Sequence, residues 1–289
     1  MIGRLSGTAV AVVGAVGLLT WPIAAMAEGA LGYSWLKRPA NGTIVQRFTP
    51  PAGYKRVVLP GRSFGAWLRR LPLRPAGSKV MLFNGARKAN QSIHAAVIDI
   101  DVGRRDLQQC ADAVMRLRAE YLYARGAGAR RRIAFNYTSG DRVAWSRWQR
   151  GHRPVVRGRK VVWRRGGAKG TSRKNFRAYL QSIFTYAGTW SLSRELRSVA
   201  KSADVRAGDV FIQGGFPGHA VIVVDAARGP NGRRAFLLAQ SFMPAQSIHV
   251  LKNPKGGVWY IAPVPGDLVT PEWTFKRGAH KRFAAAGGS

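Results

Sequence analysis

Acidic side chains are in short supply in this sequence: thirteen Asp and Glu stand against forty-seven Lys and Arg, which leaves a net charge of +34. A chain so poor in carboxylates cannot neutralise itself, so its self-repulsion must be offset by a packed core or by a polyanion close by. Cysteine is scarcer still. With Cys110 alone, an internal disulfide is excluded, and the unpaired thiol is either buried or used. His94 has Asp99 and Asp101 near it in sequence, but strand alternation puts the histidine on one face and the carboxylates on the other. No third ligand joins them, so neither a metal nor any other cofactor is expected.

The composition is otherwise that of a globular protein, 46% hydrophobic over 289 residues, long enough for one sizeable domain with an insertion. Residues 1–27 read as a secretory signal. Arg4 precedes an uncharged run from Leu5 to Leu19, and Ala25-Met26-Ala27 supplies a small-x-small cleavage pattern ahead of Glu28. An uncleaved anchor is the alternative, because the run nearly suffices to cross a bilayer. The expected location is the periplasm or cell envelope. The expected partner there is an anionic envelope polymer or the carboxylates of peptidoglycan peptide rather than nucleic acid, with membrane contact only through an uncleaved signal segment.

The segment Ala207–Asp225, AGDVFIQGGFPGHAVIVVD, organises the rest. A Gly-Asp turn feeds one strand, Gly214, Gly215, Pro217 and Gly218 break it, and His219 opens a second, β-branched strand. A histidine held there is either a satisfied strand-edge residue or a general base. Ahead of this segment, Ser63 caps a short helix to Leu71, Asn84-Gly85 makes a hairpin turn between strands at 80–83 and 93–102, and Asp106 with Gln109 forms a capping box for an amphipathic helix. The stripe Leu107, Cys110, Ala111, Val114, Leu117, Tyr121 faces the core. Arg116 and Glu120 pair on its outer side. Cys110 then lies in the first turn, where the helix end favours a thiolate while Asp106 and Asp112 oppose it.

From Arg142 to Lys174 the chain carries twelve Lys or Arg and no acid, interleaved with Trp145, Trp148 and Trp163; this reads as an exposed, mobile basic insertion. Two helices, 176–187 and 192–200, follow. Asn231-Gly232 turns the chain into a strand at 235–239, and a last strand at 248–251 holds His249 as a surface or sheet residue. Residues 28–275 therefore form a single α+β domain with insertion 142–174, and 276–289 a disordered basic tail.

The blocks DLQQCADAVMRLRAEYLY, GDVFIQGGFPGHAVIVVD and FLLAQSFMPAQSIHVLKNP, with TPEWTF closing, resemble a bacterial family known as domain of unknown function 4846, over Phe48 to Phe275. A looser likeness is to papain-like cell-wall peptidases of the NlpC/P60 and CHAP type. They share the order of a helix Cys, a Gly-Asp turn and strand, a His opening the next strand, and a polar residue on the strand after. That likeness implies a papain-like antiparallel sheet built from strands near 210, 220 and 236, with the Cys-bearing helix packed on it. It also implies Cys110 as nucleophile, His219 as base and Gln240 as orienter of the imidazole, with Ser241 and Gln246 as rivals for the last role. Here Gln109 and Ala111 flank the Cys in place of the usual Asp and Ser or Gly. The expected activity is hydrolysis of peptide or amide bonds of the envelope. The alternative is a non-catalytic polyanion-binding protein on the same scaffold.

Overall fold

Ten residues from His219 to Arg228, nine of them buried, make the strand against which everything else is placed. Both its faces are covered, which is why Ala220 to Val224 is a continuous apolar run rather than an alternating one. The computed structural model describes residues 1–3, 32–36, 40–201 and 203–284. Most of the expected signal segment lies outside the described residues, and among those described no helix is long and apolar enough to cross a membrane.

The helices are α1 (Ile44–Arg47), α2 (Phe64–Arg69), α3 (Cys110–Ala124), α4 (Ala127–Arg130), α5 (Trp145–Trp148), α6 (Arg173–Tyr186) and α7 (Thr189–Glu195). The strands are β1 (Lys55–Arg56), β2 (His94–Val97), β3 (Ala134–Asn136), β4 (Arg142–Ala144), β5 (Arg153–Arg157), β6 (Lys160–Arg164), β7 (Arg197–Ser198), β8 (Asp209–Gln213), β9 (His219–Arg228), β10 (Arg234–Gln240), β11 (His249–Leu251), β12 (Tyr260–Ala262), β13 (Leu268–Val269), β14 (Thr274–Phe275) and β15 (His280–Arg282). Nine of them form one sheet in the order β2-β11-β10-β9-β8-β15-β7, with β1 added to β9 and β12 to β10. Every pairing in it is antiparallel. The fold is α+β, as expected.

On one face Ala220, Ile222 and Val224 of β9 and Leu237 and Ala239 of β10 join a large core with Val114, Leu117 and Tyr121 of α3. On the other, Val221, Val223, Phe236 and Leu238 meet Phe211, Leu268 and Phe275 in a smaller core. Asn231 and Gly232 take φ values of 53° and 73°, the left-handed pair a tight β9–β10 hairpin requires. Ser63 Oγ accepts from Ala66 N at 3.2 Å and starts α2.

Several expectations are corrected. The helix α3 begins at Cys110 with Gln109 as its cap and Asp112 as box partner, because the Asp106 carboxylate is taken by Ala245 N–H at 2.6 Å and by the Gln109 amide at 3.0 Å. Arg116 and Glu120 pair at 2.9 Å, but both are fully buried rather than outward, since Asp101 and Arg173 complete the cluster. The basic stretch 142–174 is ordered. Trp145 and Trp148 are buried, Trp148 Nε1 donates to Asn175 at 2.8 Å, and β5 and β6 form a hairpin whose Val156, Val161 and Trp163 pack on the core. Nor do residues 276–284 form a loose tail, because β15 pairs with both β8 and β7. Buried Asp209 holds it there, accepting from His280 Nε2 at 2.8 Å and from Arg282. Residues 285–289 lie outside the described residues. The second helix of the expected pair stops at Glu195 and gives way to β7. Only 94–97 of the expected strand 93–102 is regular, and 80–83 contributes isolated bridges around the Asn84-Gly85 turn.

Candidate active site

Gly218 admits β9 to its register. A side chain there would collide with the Gly215 carbonyl and the Thr189 hydroxyl, so the chain can turn into the sheet at this point only with glycine. His219 follows, buried on the smaller-core face among the rings of Phe242, Trp273 and Phe275, 4.7–5.7 Å between centroids. Its Nε2 lies 2.8 Å from Gln240 Oε1. Of the three polar residues weighed for this position, Gln240 is the one on the imidazole. Ser241 Oγ instead lies between the Gln108 and Gln246 carbonyls, at 2.9 and 2.8 Å, and ties the approach to α3 to the end of β10.

The network continues through residues the sequence did not single out. His249 stands opposite Gln240 in the β10–β11 ladder. Its Nδ1 is 2.8 Å from Ser247 O, so that nitrogen carries the proton and Nε2 presents a lone pair to Gln240 Nε2 at 3.4 Å. Glu272 Oε2 accepts from the same Gln240 nitrogen at 2.6 Å, and Glu272 Oε1 pairs with Lys88 Nζ at 2.6 Å. With both amide hydrogens drawn to acceptors, Gln240 must turn its oxygen to His219. The proton of His219 therefore sits on Nε2, and Nδ1 is left as the basic nitrogen.

Burial pushes His219 down to about 4 and His249 down to about 3, the nearby Lys88 ammonium adding to both. Both rings are neutral at pH 7. Because these values lie below the unfolded 6.5, the unfolded chain binds protons first as pH falls, and stability is lost from pH 6.5 down towards 3–4. At pH 4.5 each ring has withdrawn about 2–3 kcal/mol. We expect the stability deficit of His249→Gln against wild type, measured by urea unfolding, to shrink by that amount between pH 7 and pH 4.5. A deficit that stays constant would mean an ordinary titration for His249.

Cys110 is the first residue of α3 and is buried. Burial, then the Asp112 carboxylate, pushes its thiol up to about 11, against hydrogen bonds from the backbone N–H groups of Ala111, Ala220 and Cys110 itself. Of the opposing influences at this helix start, burial and the Asp112 carboxylate outweigh the helix end. The thiol meets the sheet at the Ala220 N–H, one residue from His219. His219 and Gln240 are brought together in direct contact, whereas Cys110 comes from α3 on the larger-core face, opposite the His219 ring, and meets β9 only at the Ala220 backbone, with no hydrogen bond to either side chain among the described residues. His94 donates to Ser78 O at 3.0 Å and stacks edgewise on His249, while Asp99 and Asp101 pair with Arg74 and Arg116. Phe216 and Met243, on the loops flanking the strand ends, stay exposed.

Residues 44–282 match the sequence pattern of a single family, described as domain of unknown function (4846). The chain belongs to that family. No curated protein and no solved structure matches it. The family match covers α1 through β15, and so takes in the sheet, α3 and all of the polar network around Gln240.

Proposed function

We propose that this protein is an exported papain-like thiol hydrolase of the NlpC/P60 and CHAP kind, cleaving peptide or amide bonds of the cell envelope. The observation that carries the reading is the meeting of the α3 start with the β9 start: the Cys110 thiol sits on the peptide that follows a histidine whose tautomer is fixed.

Before substrate binds, a neutral thiol on the larger-core side of β9 and a neutral imidazole on its smaller-core side are separated by the strand, and the reaction requires them to be brought together. On substrate binding the thiol leaves the Ala220 N–H and gives its proton to His219 Nδ1 as the sulfur attacks the carbonyl carbon. Backbone N–H groups at the start of α3, where a helix leaves its first amides without internal partners, serve as the oxyanion donors once the thiol has moved off them. The C–N bond then breaks with His219 returning the proton to the leaving amine, and water releases the acyl group from sulfur. Gln240, held by Glu272 and His249, keeps the ring in the tautomer that makes this sequence work. Phe216 and Met243 offer apolar contacts to the substrate chain. Export rests on residues 1–27, and the net charge of +34 draws the protein to anionic wall polymer.

Incubation with purified wall fragments should release new amines. In the free enzyme, alkylation of Cys110 by a small haloacetamide should speed up about tenfold per pH unit from pH 7 to pH 10, as expected of a thiol near 11. A rate that is already flat at neutral pH would indicate a standing thiolate–imidazolium pair, and the general-base mechanism would have to be abandoned.

A further inference from the structure

About eight residues along α3 from Cys110, some 12 Å at the usual helical rise, Arg118 lies under three rings. Its guanidinium is 4.9 Å from the Phe64 centroid, 5.5 Å from Tyr121 and 5.1 Å from Phe283. It forms part of the wall shared by two cavities. One, of about 320 Å³, is also lined by Arg125, Arg206 and Arg282. The other, of about 380 Å³, is also lined by Arg131, Arg132 and Arg142.

The acids in these walls are already engaged. Asp209 serves His280 and Arg282, and Glu195, pushed up to about 7 by burial, accepts the Asn136 N–H at 2.7 Å. Among the described residues, Arg118, Arg125, Arg131 and Arg132 have no carboxylate within ion-pair distance. The negative end of α3 accounts for Arg125 at its C-cap. It does not account for Arg118, two turns earlier, partly buried beside the like charges of Arg132 and Arg125, with burial itself pushing its pKa down to about 10. Placing a cation there with no counter-charge is costly unless a ligand supplies one.

We propose that these two adjoining cavities form a binding site for a multiply charged, phosphate-bearing ligand, centred on Arg118. A phosphate supplies two charges and several acceptor oxygens in a geometry that guanidinium forks grip bidentately. The rings hold Arg118 in place before the ligand arrives. The site stands apart from the thiol chemistry and does not depend on it.

The test is calorimetric titration of the full-length protein with inorganic pyrophosphate at fixed ionic strength, beside citrate as a phosphate-free anion of similar charge. Arg118→Gln should weaken pyrophosphate binding at least tenfold and Arg118→Lys less. Exposed Arg132→Gln should weaken it several-fold, which keeps the test valid if position 118 proves needed for folding. Arg157→Gln, in the β5–β6 hairpin, should change it less than twofold. A second arm sediments the protein with phosphatidylcholine vesicles, with and without one third phosphatidic acid, whose headgroup is a phosphomonoester. Co-sedimentation lost in Arg132→Gln places the phosphate on a lipid headgroup, and pyrophosphate binding without it places the phosphate in solution. The proposal fails if wild type binds neither probe, if citrate binds as well as pyrophosphate, or if Arg157→Gln loses as much as Arg118→Gln.

Discussion

Cys110→Ala should lose the release of amines from wall fragments by on the order of 10⁴-fold or more, because removal of a nucleophile leaves only binding and oxyanion stabilisation to accelerate the reaction. The loss should fall on kcat, since the thiol contributes little to holding a peptide before reaction. Stability should change by no more than about 1–2 kcal/mol, as the position is small, already buried, and neighboured by alanine. That contrast separates catalysis from folding. Undiminished release by the folded Cys110→Ala protein would remove the thiol from the mechanism, and the Gln240 network would then be a structural polar cluster. The anion site around Arg118 would be untouched by that outcome.

Much of the frame was legible in the sequence, because local signals and tertiary needs agree there. The runs at 210, 220 and 236 are apolar on both sides and fall in the middle of the sheet, and Asn231-Gly232 can hardly be anything but a hairpin turn. His219 was legible because it opens such a strand, whereas Gln240 was reached only through the likeness to NlpC/P60 and CHAP peptidases, beside Ser241 and Gln246. Lys88, His249 and Glu272 were missed for a different reason. His249 becomes a partner of Gln240 only through the β10–β11 register, and Glu272 arrives from a loop 32 residues away; neither relation leaves a periodic trace. The basic stretch misled by composition. In β6 its exposed residues alternate with the half-buried Val161 and Trp163, so a dense run of positive charge is also one solvated face of an ordered hairpin. The chain end misled in the same way: β15 is three basic residues, and what makes them strand is Asp209, 71 positions upstream of His280.

Asp225→Ala is expected to give the largest loss of stability of any single change in the sheet. Asp99 follows His94 by five residues and Asp225 follows His219 by six, yet the structure gives the two aspartates opposite tasks. Asp225 is fully buried and takes Arg56 Nε at 2.8 Å, Arg69 Nε at 2.6 Å and its neighbour's Ala226 N–H at 2.8 Å. Arg69 goes on to the Val57 and Ala226 carbonyls, and Arg56 to that of Phe48. One carboxylate thus fastens β1, α2 and the segment after α1 to the central strand. Without it two largely buried guanidinium groups lose their counter-charge, a loss of about 3–5 kcal/mol, and with a urea dependence of roughly 2–3 kcal/mol per molar the midpoint should fall by about 1–2 M. Asp99, which meets Arg74 at 3.5 Å and is 38% exposed, provides the control: Asp99→Ala should cost no more than about 1 kcal/mol. Asp225→Asn should fall between the two, because it keeps the shape and an acceptor but not the charge. Equal midpoints for Asp225→Ala and Asp99→Ala would show that the clamp contributes nothing beyond a surface pair, and the attachment of the amino-terminal segments to β9 would then rest on the apolar contacts of Ile44, Phe48 and Leu68 with that core.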